Sequence, residues 1–246
     1  MFFSLAAMAL AEVALPFRRA WRPDRRELRT NGVYFLMNGI NSGLANAGAT
    51  ATALWMAPSQ MPLPLWLAVP TALLISTFFG YWWHRAGHES ARLWRFHGIH
   101  HVPQKLNVAN NNTVHFVDLL IGNLVTTVPL AWLGFSEMAV ATAGFLTSFQ
   151  GFFAHLNADV RLGVLGRWVM GPEHHRYHHS VRVAEAGNFS SSITLWDRLF
   201  GTFVHRPGRS PAQIGIEGGQ GFPADTALAA SVVAPFCRAD RNAGKR

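Results

Sequence analysis

Twelve histidines occur in this chain of 246 residues, and eight of them are grouped in three short motifs. An HxxxH motif covers residues 84–88, and HxxHH motifs cover residues 97–101 and 175–179. Side chains three or four residues apart lie on one face of a helix, so each motif can aim two or three imidazoles at one point. Because one tetrahedral zinc ion takes four ligands, eight clustered imidazoles indicate a site for two metal ions. The candidate ligands are His84, His88, His97, His100, His101, His175, His178 and His179.

The four remaining histidines have weaker claims to a functional role. His155 ends an apolar run and is a candidate ninth ligand, although a purely structural role fits nearly as well. His174 points about 100° away from His175 on a helix. We therefore interpret it as a residue that supports the metal ligands without binding the metal, and direct ligation is the alternative. We interpret His115 as an interfacial residue or a contact to a substrate headgroup, and His205 as a surface residue.

Histidines that bind a metal need a hydrogen-bond partner on their other ring nitrogen, which fixes the tautomer and the ring orientation. Asp118, Asn112, Asn188 and Asp197 lie near the motifs in sequence and are candidates for this role. Taken singly, each is more often a helix cap or a surface group. Asp197 stands out because the stretch around it, LWDRLFGTF at 195–203, is amphipathic and follows the last motif.

The composition is typical of a membrane protein. Half of the residues are hydrophobic and 14% are charged. Residues 30–83 carry no charged side chain, and residues 119–158 carry only Glu137. Each gap has room for two segments of the roughly 20 residues that cross a bilayer. The net charge of +8 comes from basic residues that flank these apolar segments, which favours lipid headgroups over nucleic acid as the partner. Cys237 is the only cysteine, which excludes a disulfide within the chain.

Five apolar segments predict the architecture: 2–16, 31–56, 65–83, 116–134 and 137–156. The connections at 57–64 and 134–137 contain no Lys or Arg, whereas the histidine motifs lie in basic blocks. One topology satisfies the positive-inside rule, with the basic blocks and all three motifs on the cytoplasmic face. Segment 2–16 is short and contains Glu12, so whether it crosses the membrane stays open.

The predicted fold class is therefore all-α, an integral-membrane helical bundle of about four to five spans with a helical cytoplasmic cap that carries the histidine motifs. Residues 1–64 would form N-terminal membrane helices, 65–205 the catalytic core, and 206–246 a C-terminal cap or tail.

The order and setting of the motifs resemble the fatty acid hydroxylase superfamily, also called the sterol desaturase family. The resemblance covers roughly residues 70–236 and rests on HRAGH at 84–88, HGIHH at 97–101, PEHHRYHH at 172–179, NF at 188–189 and the LWDRLFGTF stretch. Many members have Arg-x-His after the second motif, but here this position reads Thr113-Val114-His115 and the arginine is absent.

The resemblance implies a membrane enzyme with two iron ions that uses O₂ and two electrons to hydroxylate or desaturate a C–H bond of a lipid. The eight motif histidines would be ligands, and His155 matches a further histidine that many members place at this position. A lipid from the bilayer would be the substrate, and it would enter between the membrane helices. Phe149, Phe152 and Phe153 are candidates for the pocket wall, although plain packing is the more ordinary role for them. A separate ferredoxin, cytochrome or reductase would supply electrons, because the chain lacks a Rossmann fingerprint and a haem-binding motif.

Three other functions are compatible with part of the pattern. A desaturase would use the same centre as a hydroxylase. A metal transporter would place ligands inside its spans, but the interiors of the apolar segments after residue 65 hold no histidine. A metal-dependent lipid hydrolase would need a carboxylate base, for which Glu89 and Glu173 are the candidates, and it would not depend on O₂.

Overall fold

The computed structural model describes residues 2–56 and 59–237, and this part of the chain is helical with three isolated β-bridges and no strands. The helices in chain order are α1 (Phe2–Ala14), α2 (Arg25–Met56), α3 (Leu65–Glu89), α4 (Ala91–His101), α5 (Phe116–Trp132), α6 (Glu137–Ala154), α7 (Pro172–His178), α8 (Leu195–Leu199) and α9 (Leu228–Cys237). Short 3₁₀ turns connect several of them, among them Val108–Asn112. The prediction of an all-α fold is confirmed for the described residues.

The bundle is built around α3 and α5. Helix α5 packs against α2 and α3, and α3 also packs against α6 and α4. Small residues let these helices approach closely, because a core cluster contains Ala68, Ala72, Ala139 and Ala143 next to Leu130. Large apolar side chains point outward instead, among them Leu36, Ile40, Trp66 and Met138. An extended apolar outer surface of this kind is typical of helices that face lipid.

Among the described helices, only Leu65–Glu89 is both long enough and apolar enough to cross a membrane by length and composition. Helices α1, α5 and α9 are apolar but shorter. A membrane bundle therefore fits the structure, whereas the number of four to five spans stays a prediction. Helix α2 has the necessary length but carries Asn31, Asn38 and Asn41 as buried residues.

Two helix boundaries differ from the predicted segments by more than two residues. Helix α2 begins at Arg25 rather than at residue 31, because the Asp24 carboxylate accepts the Glu27 N–H and the Glu27 side chain accepts the Asp24 N–H, which caps the helix ahead of its apolar part. Helix α3 continues past residue 83 to Glu89. His84 and His88 therefore lie on the last turns of a candidate membrane helix, not in a separate cytoplasmic element.

Segment 2–16 forms α1, and its buried acidic residue has hydrogen-bond partners. The Glu12 carboxylate accepts the backbone N–H groups of Val108, at 2.7 Å, and Asn157, at 2.8 Å. These bonds attach α1 to the 3₁₀ turn after α4 and to the end of α6. Of the predicted C-terminal region, residues 238–246 lie outside the described residues, and α9 packs on α4 close to the histidines.

Candidate metal centre

The structure brings nine histidines from four places in the chain into two adjacent groups. Helix α3 supplies the first motif, α4 the second, the residue after α6 supplies His155, and α7 with its C-terminal cap supplies the third motif. In each group the candidate ligand atoms all lie within 4.8 Å of one another. The first group is His84, His88, His97, His101 and His178, and the second group is His100, His155, His175 and His179.

Each HxxHH motif is divided between the two groups. His97 and His101 belong to the first group, while His100 belongs to the second. In the third motif the division is reversed, because His175 and His179 belong to the second group and His178 to the first. The expectation that each motif aims at one point is therefore wrong for the two HxxHH motifs. Adjacent residues on a helix point about 100° apart, so neighbouring histidines cannot face the same ion.

The distances between ring nitrogens match those of ligands on a shared ion. The His97 Nε2 atom lies 3.2 Å from the Nε2 atoms of both His88 and His101. In the second group the Nε2 atoms of His175 and His179 are 3.1 Å apart, and the corresponding distance from His155 to His100 is 3.3 Å. Two nitrogens bound to one ion at 2.0–2.1 Å with angles of about 90–110° lie roughly 2.9–3.4 Å apart.

Outer hydrogen bonds fix the tautomers of the first group. The Nδ1 atom of His84 donates to the Phe189 carbonyl at 2.6 Å, and that of His178 donates to the Gly187 carbonyl at 2.9 Å. The His97 Nδ1 atom donates to the Asp118 carboxylate at 2.9 Å. Since a carbonyl or carboxylate oxygen accepts only, each ring carries its proton on Nδ1 and presents an Nε2 lone pair to the centre. The Nε2 atoms of His84 and His178 are buried and have no hydrogen-bond partner, which is the state of a ligand nitrogen.

Two of the four histidines in the second group have the same kind of outer partner. The His100 Nδ1 atom faces the Thr113 carbonyl at 3.3 Å, and the His155 Nδ1 atom faces the Asn110 Oδ1 atom at 3.2 Å. The Asn110 side-chain oxygen also accepts the Asn107 N–H, which supports its orientation. The position of His155 among these residues fits its prediction as a ninth ligand.

Burial favours the neutral form of five of these imidazoles. It lowers the pKa of His100, His101, His175, His178 and His179 well below the ordinary value, and the neighbouring imidazoles lower it further. A neutral imidazole has the lone pair that a metal ion needs. The donor set therefore fits two metal ions with nitrogen ligands, and no cysteine lies in either group.

A cavity of about 460 Å³ borders this centre. Its lining includes His84, His97, His100, His155 and His175, which come from both groups. Its other walls come largely from α2, α3, α5 and α6 and include Phe35, Gly39, Gly80, Leu119 and Phe152. We call this space the metal-centre cavity. Of the three phenylalanines named as candidates for the pocket wall, Phe152 lines the cavity. Phe149 and Phe153 pack in the apolar cluster around Met8, which is the more ordinary role considered for them.

A sequence model described as fatty acid hydroxylase matches residues 69–202, more than half of the chain. The chain belongs to the fatty acid hydroxylase family. The matched range includes all nine histidines of the two groups, and it ends before residue 236, where we expected the resemblance to end. No solved structure matches the chain.

Named relatives in this family act on lipids. The chain is 32% identical to ornithine lipid hydroxylase OlsE of Rhizobium tropici, over 97% of its own length and 75% of that protein. It is 28% identical to alkylglycerol monooxygenase of Xenopus tropicalis over 60% of its length, which spans 32% of that protein. It is also 27% identical to very-long-chain aldehyde decarbonylase GL1-8 of Oryza sativa subsp. indica, over 58% of this chain and 56% of that one. The chain is therefore an oxidoreductase of the fatty acid hydroxylase family, whose members are associated with membranes.

Asp197 and Asn188, two predicted supporting residues, bind backbone groups next to the candidate ligands. The buried Asp197 carboxylate accepts the N–H groups of Phe189 and Ser190 at 2.7 and 2.9 Å, and the Thr202 hydroxyl at 2.6 Å. It thereby positions the Phe189 carbonyl that accepts from His84. Asn188 adopts a φ of 60° and donates to the carbonyls of His174, at 2.8 Å, and Val204. Both side chains act on the site through the backbone groups that they bind.

His174 lies outside both groups. It forms a third cluster with Glu173 and His205, in which the His205 Nε2 atom is 3.3 Å from the Glu173 carboxylate. The His174 Nδ1 atom accepts the Gly171 N–H at 3.0 Å, and burial lowers the pKa of His174 to about 4. The structure therefore does not place His174 as a tenth ligand of the two groups. His205 is half-buried against His174 rather than on the surface.

His115 is buried at the start of α5, where its Nδ1 atom accepts the Val117 N–H and its Nε2 atom donates to the Val232 carbonyl of α9. These bonds join α9 to α5 and occupy both ring nitrogens of His115. Its role as an interfacial residue or as a contact to a substrate headgroup stays a prediction. The outer partners Thr113 and Gly187 were missed by sequence reasoning, because they act through carbonyl groups that every residue has.

Proposed function

We propose that this protein is a membrane-bound di-iron oxygenase that uses O₂ and two electrons to hydroxylate a C–H bond of a lipid. The observation that carries the proposal is that both histidine groups contribute residues to the lining of one cavity, whose other walls are helices of the bundle. A substrate in this cavity would reach both groups at once. The names of the relatives support a lipid as the substrate class.

Iron is proposed because activation of O₂ requires a redox-active metal, and imidazole is a suitable ligand for it. The first group would hold one ion and the second group the other, and the bound irons would supply the oxidising chemistry. The chain's own contribution is a buried set of imidazoles, five of which are oriented by an outer acceptor: His84, His97, His100, His155 and His178. Burial of the groups keeps bulk water away from the reaction.

The metal-centre cavity suits the proposed substrate. Most of its walls are apolar, but Asn38, Asn112, Asn123 and Thr126 add polar groups to the lining. Such a lining fits a lipid with a functional group near the carbon that is oxidised. We further propose that the histidine groups face the cytoplasm, as the basic blocks beside the motifs indicate, and that a separate ferredoxin, cytochrome or reductase supplies the electrons.

Lipid mass spectrometry of cells that express the protein tests this function. Cells with the wild type and an active electron donor should contain a lipid that has gained one oxygen atom, and cells with His178→Ala should lack it. His205→Ala is the matched control, because His205 is half-buried and lies outside both groups. A lipid that lost two hydrogen atoms would identify a desaturase instead. An unchanged lipid profile with protein that contains both metals would refute the proposal.

A further inference from the structure

A second cavity lies beside the metal-centre cavity and has no role in the function proposed so far. It has a volume of about 500 Å³ and lies between α1 and the first half of α2. Leu5, Ala9 and Val13 line it from α1, and Leu28, Gly32 and Phe35 line it from α2. We call it the N-terminal cavity. Its size is within the range of about 300–1,000 Å³ that is usual for small-molecule sites.

Two aromatic side chains form the boundary between the cavities. Phe35 and Phe152 line both of them, and their ring centroids are 6.3 Å apart. No histidine lines the N-terminal cavity, so a molecule there lies beyond the metal ligands. A molecule that extends from one cavity into the other would pass beside this aromatic pair.

The walls of the N-terminal cavity are suited to a hydrocarbon chain. Glu12 borders it, and the Glu12 Oε1 atom accepts the backbone N–H groups of Val108 and Asn157. At the rim, Arg22 is exposed, and its guanidinium donates to the Val13 carbonyl at 2.8 Å. An apolar interior with a cationic rim matches an acyl chain whose lipid has an anionic or carbonyl-bearing head.

We propose that the N-terminal cavity holds one hydrocarbon chain of the same lipid whose oxidised C–H bond lies in the metal-centre cavity. This inference rests on the proposed function and narrows its substrate to a membrane lipid with a chain that is bound but not oxidised. Binding energy from this remote chain would position the reacting carbon. Blocking the N-terminal cavity would then weaken lipid binding while leaving the metal centre intact.

Three glycines on α2 provide a matched set of variants. Gly32 lines the N-terminal cavity, Gly39 lines the metal-centre cavity, and Gly43 lines neither. A Cβ atom added at any of the three meets no other atom within 4 Å, so each position accepts a larger side chain without a clash at its base. Gly32→Phe and Gly39→Phe would each fill one cavity, and Gly43→Phe would fill neither. Ala9→Phe would fill the N-terminal cavity from α1.

Photocrosslinking tests the proposal without relying on turnover. The probe is phosphatidylglycerol with a diazirine near the end of one acyl chain, added to the purified full-length protein with bound metals in detergent micelles. Peptide mass spectrometry should find crosslinks in residues 5–13 and 28–35. Gly32→Phe and Ala9→Phe should reduce these crosslinks at least fivefold, whereas Gly43→Phe should leave them unchanged.

Metal content and turnover separate the possible outcomes. Gly32→Phe should retain both metal ions, and any lipid turnover should show an increased KM, as expected for lost binding of a remote chain. Crosslinks that persist in Gly32→Phe and Ala9→Phe, or that spread evenly over the apolar outer surface, would overturn the proposal. If the crosslinks occur at the expected residues but the protein oxidises no lipid, the lipid site is supported. In that case only the proposed function is contradicted.

Discussion

The hydrogen bond between Asp118 and His97 allows a sharp test of the candidate metal centre. One carboxylate oxygen of Asp118 accepts from the His97 Nδ1 atom at 2.9 Å, and the other accepts from the Trp83 indole at 3.0 Å. Both donors are N–H groups. In Asp118→Asn one oxygen is replaced by an NH₂ group, so one of the two donors must face another donor.

The expected loss follows from these two bonds. Removing the outer partner of a metal-bound histidine typically lowers metal affinity about 10–100-fold, or about 1.4–2.7 kcal/mol. A buried N–H group without an acceptor costs about 1–3 kcal/mol in folding free energy as well. Asp118 and His97 are both buried, so water cannot replace the missing acceptor at little cost. We therefore expect weaker metal binding in the group that contains His97 and a lower melting temperature.

Chelator competition followed by plasma mass spectrometry would measure the affinity. Trp83→Phe alone should change it little, because the carboxylate still accepts from His97. The double variant Trp83→Phe/Asp118→Asn should bind metal better than Asp118→Asn alone, since the amide oxygen is then free to accept from His97. The reasoning is refuted if Asp118→Asn binds metal as tightly as the wild type, or if the double variant shows no recovery.

Three further predictions concern the surroundings of the ligands. Asp197→Asn should lower stability by about 2–4 kcal/mol in thermal or denaturant unfolding, because it leaves a buried N–H of residue 189 or 190 facing an amide. Gly187→Ala should reduce metal content, since the added Cβ would clash with the Thr202 carbonyl and displace the carbonyl that orients His178. Gly144→Ala, where no atom is near and the residue lies within helix α6, is the control. The metal-free protein should lose stability as the pH falls below about 6.5. Burial lowers the pKa of the histidines in the folded state, so only the unfolded chain gains protons in this range. Melting temperatures measured from about pH 7.5 to about pH 5 would reveal this loss.

The sequence was sufficient to predict the helices that carry the site, because their signals are local. The charge-free runs correspond to α3, α5 and α6, and the short connection at 134–137 separates two of them as expected. The nine proposed ligands were all identifiable from motif spacing, the family resemblance and the position of His155 at the end of an apolar run. Their approach to one another follows from helices that begin or end at the same side of the bundle.

Features that depend on tertiary contacts could not be predicted in the same way. The carbonyls of Phe189 and Gly187 orient two histidines, but a carbonyl has no signature in the sequence. Asn38 and Asn41 are polar residues within a long apolar segment, and the structure explains them because they donate to the carbonyls of Asn112 and Phe116 at 2.8 Å. The burial of His115 likewise depends on α9, which is more than 100 residues away along the chain.

The reciprocal division of the two HxxHH motifs has a consequence for assembly of the centre. Helix α4 gives two ligands to the first group and one to the second, and α7 with its cap gives one to the first and two to the second. His101 and His179, one from each group, stack at a centroid distance of 4.3 Å. A rotation or shift of either helix would therefore disturb both proposed ions together. Because each motif is shared in this way, the first ion to bind would order ligands for the second, and loading of the two sites should be cooperative.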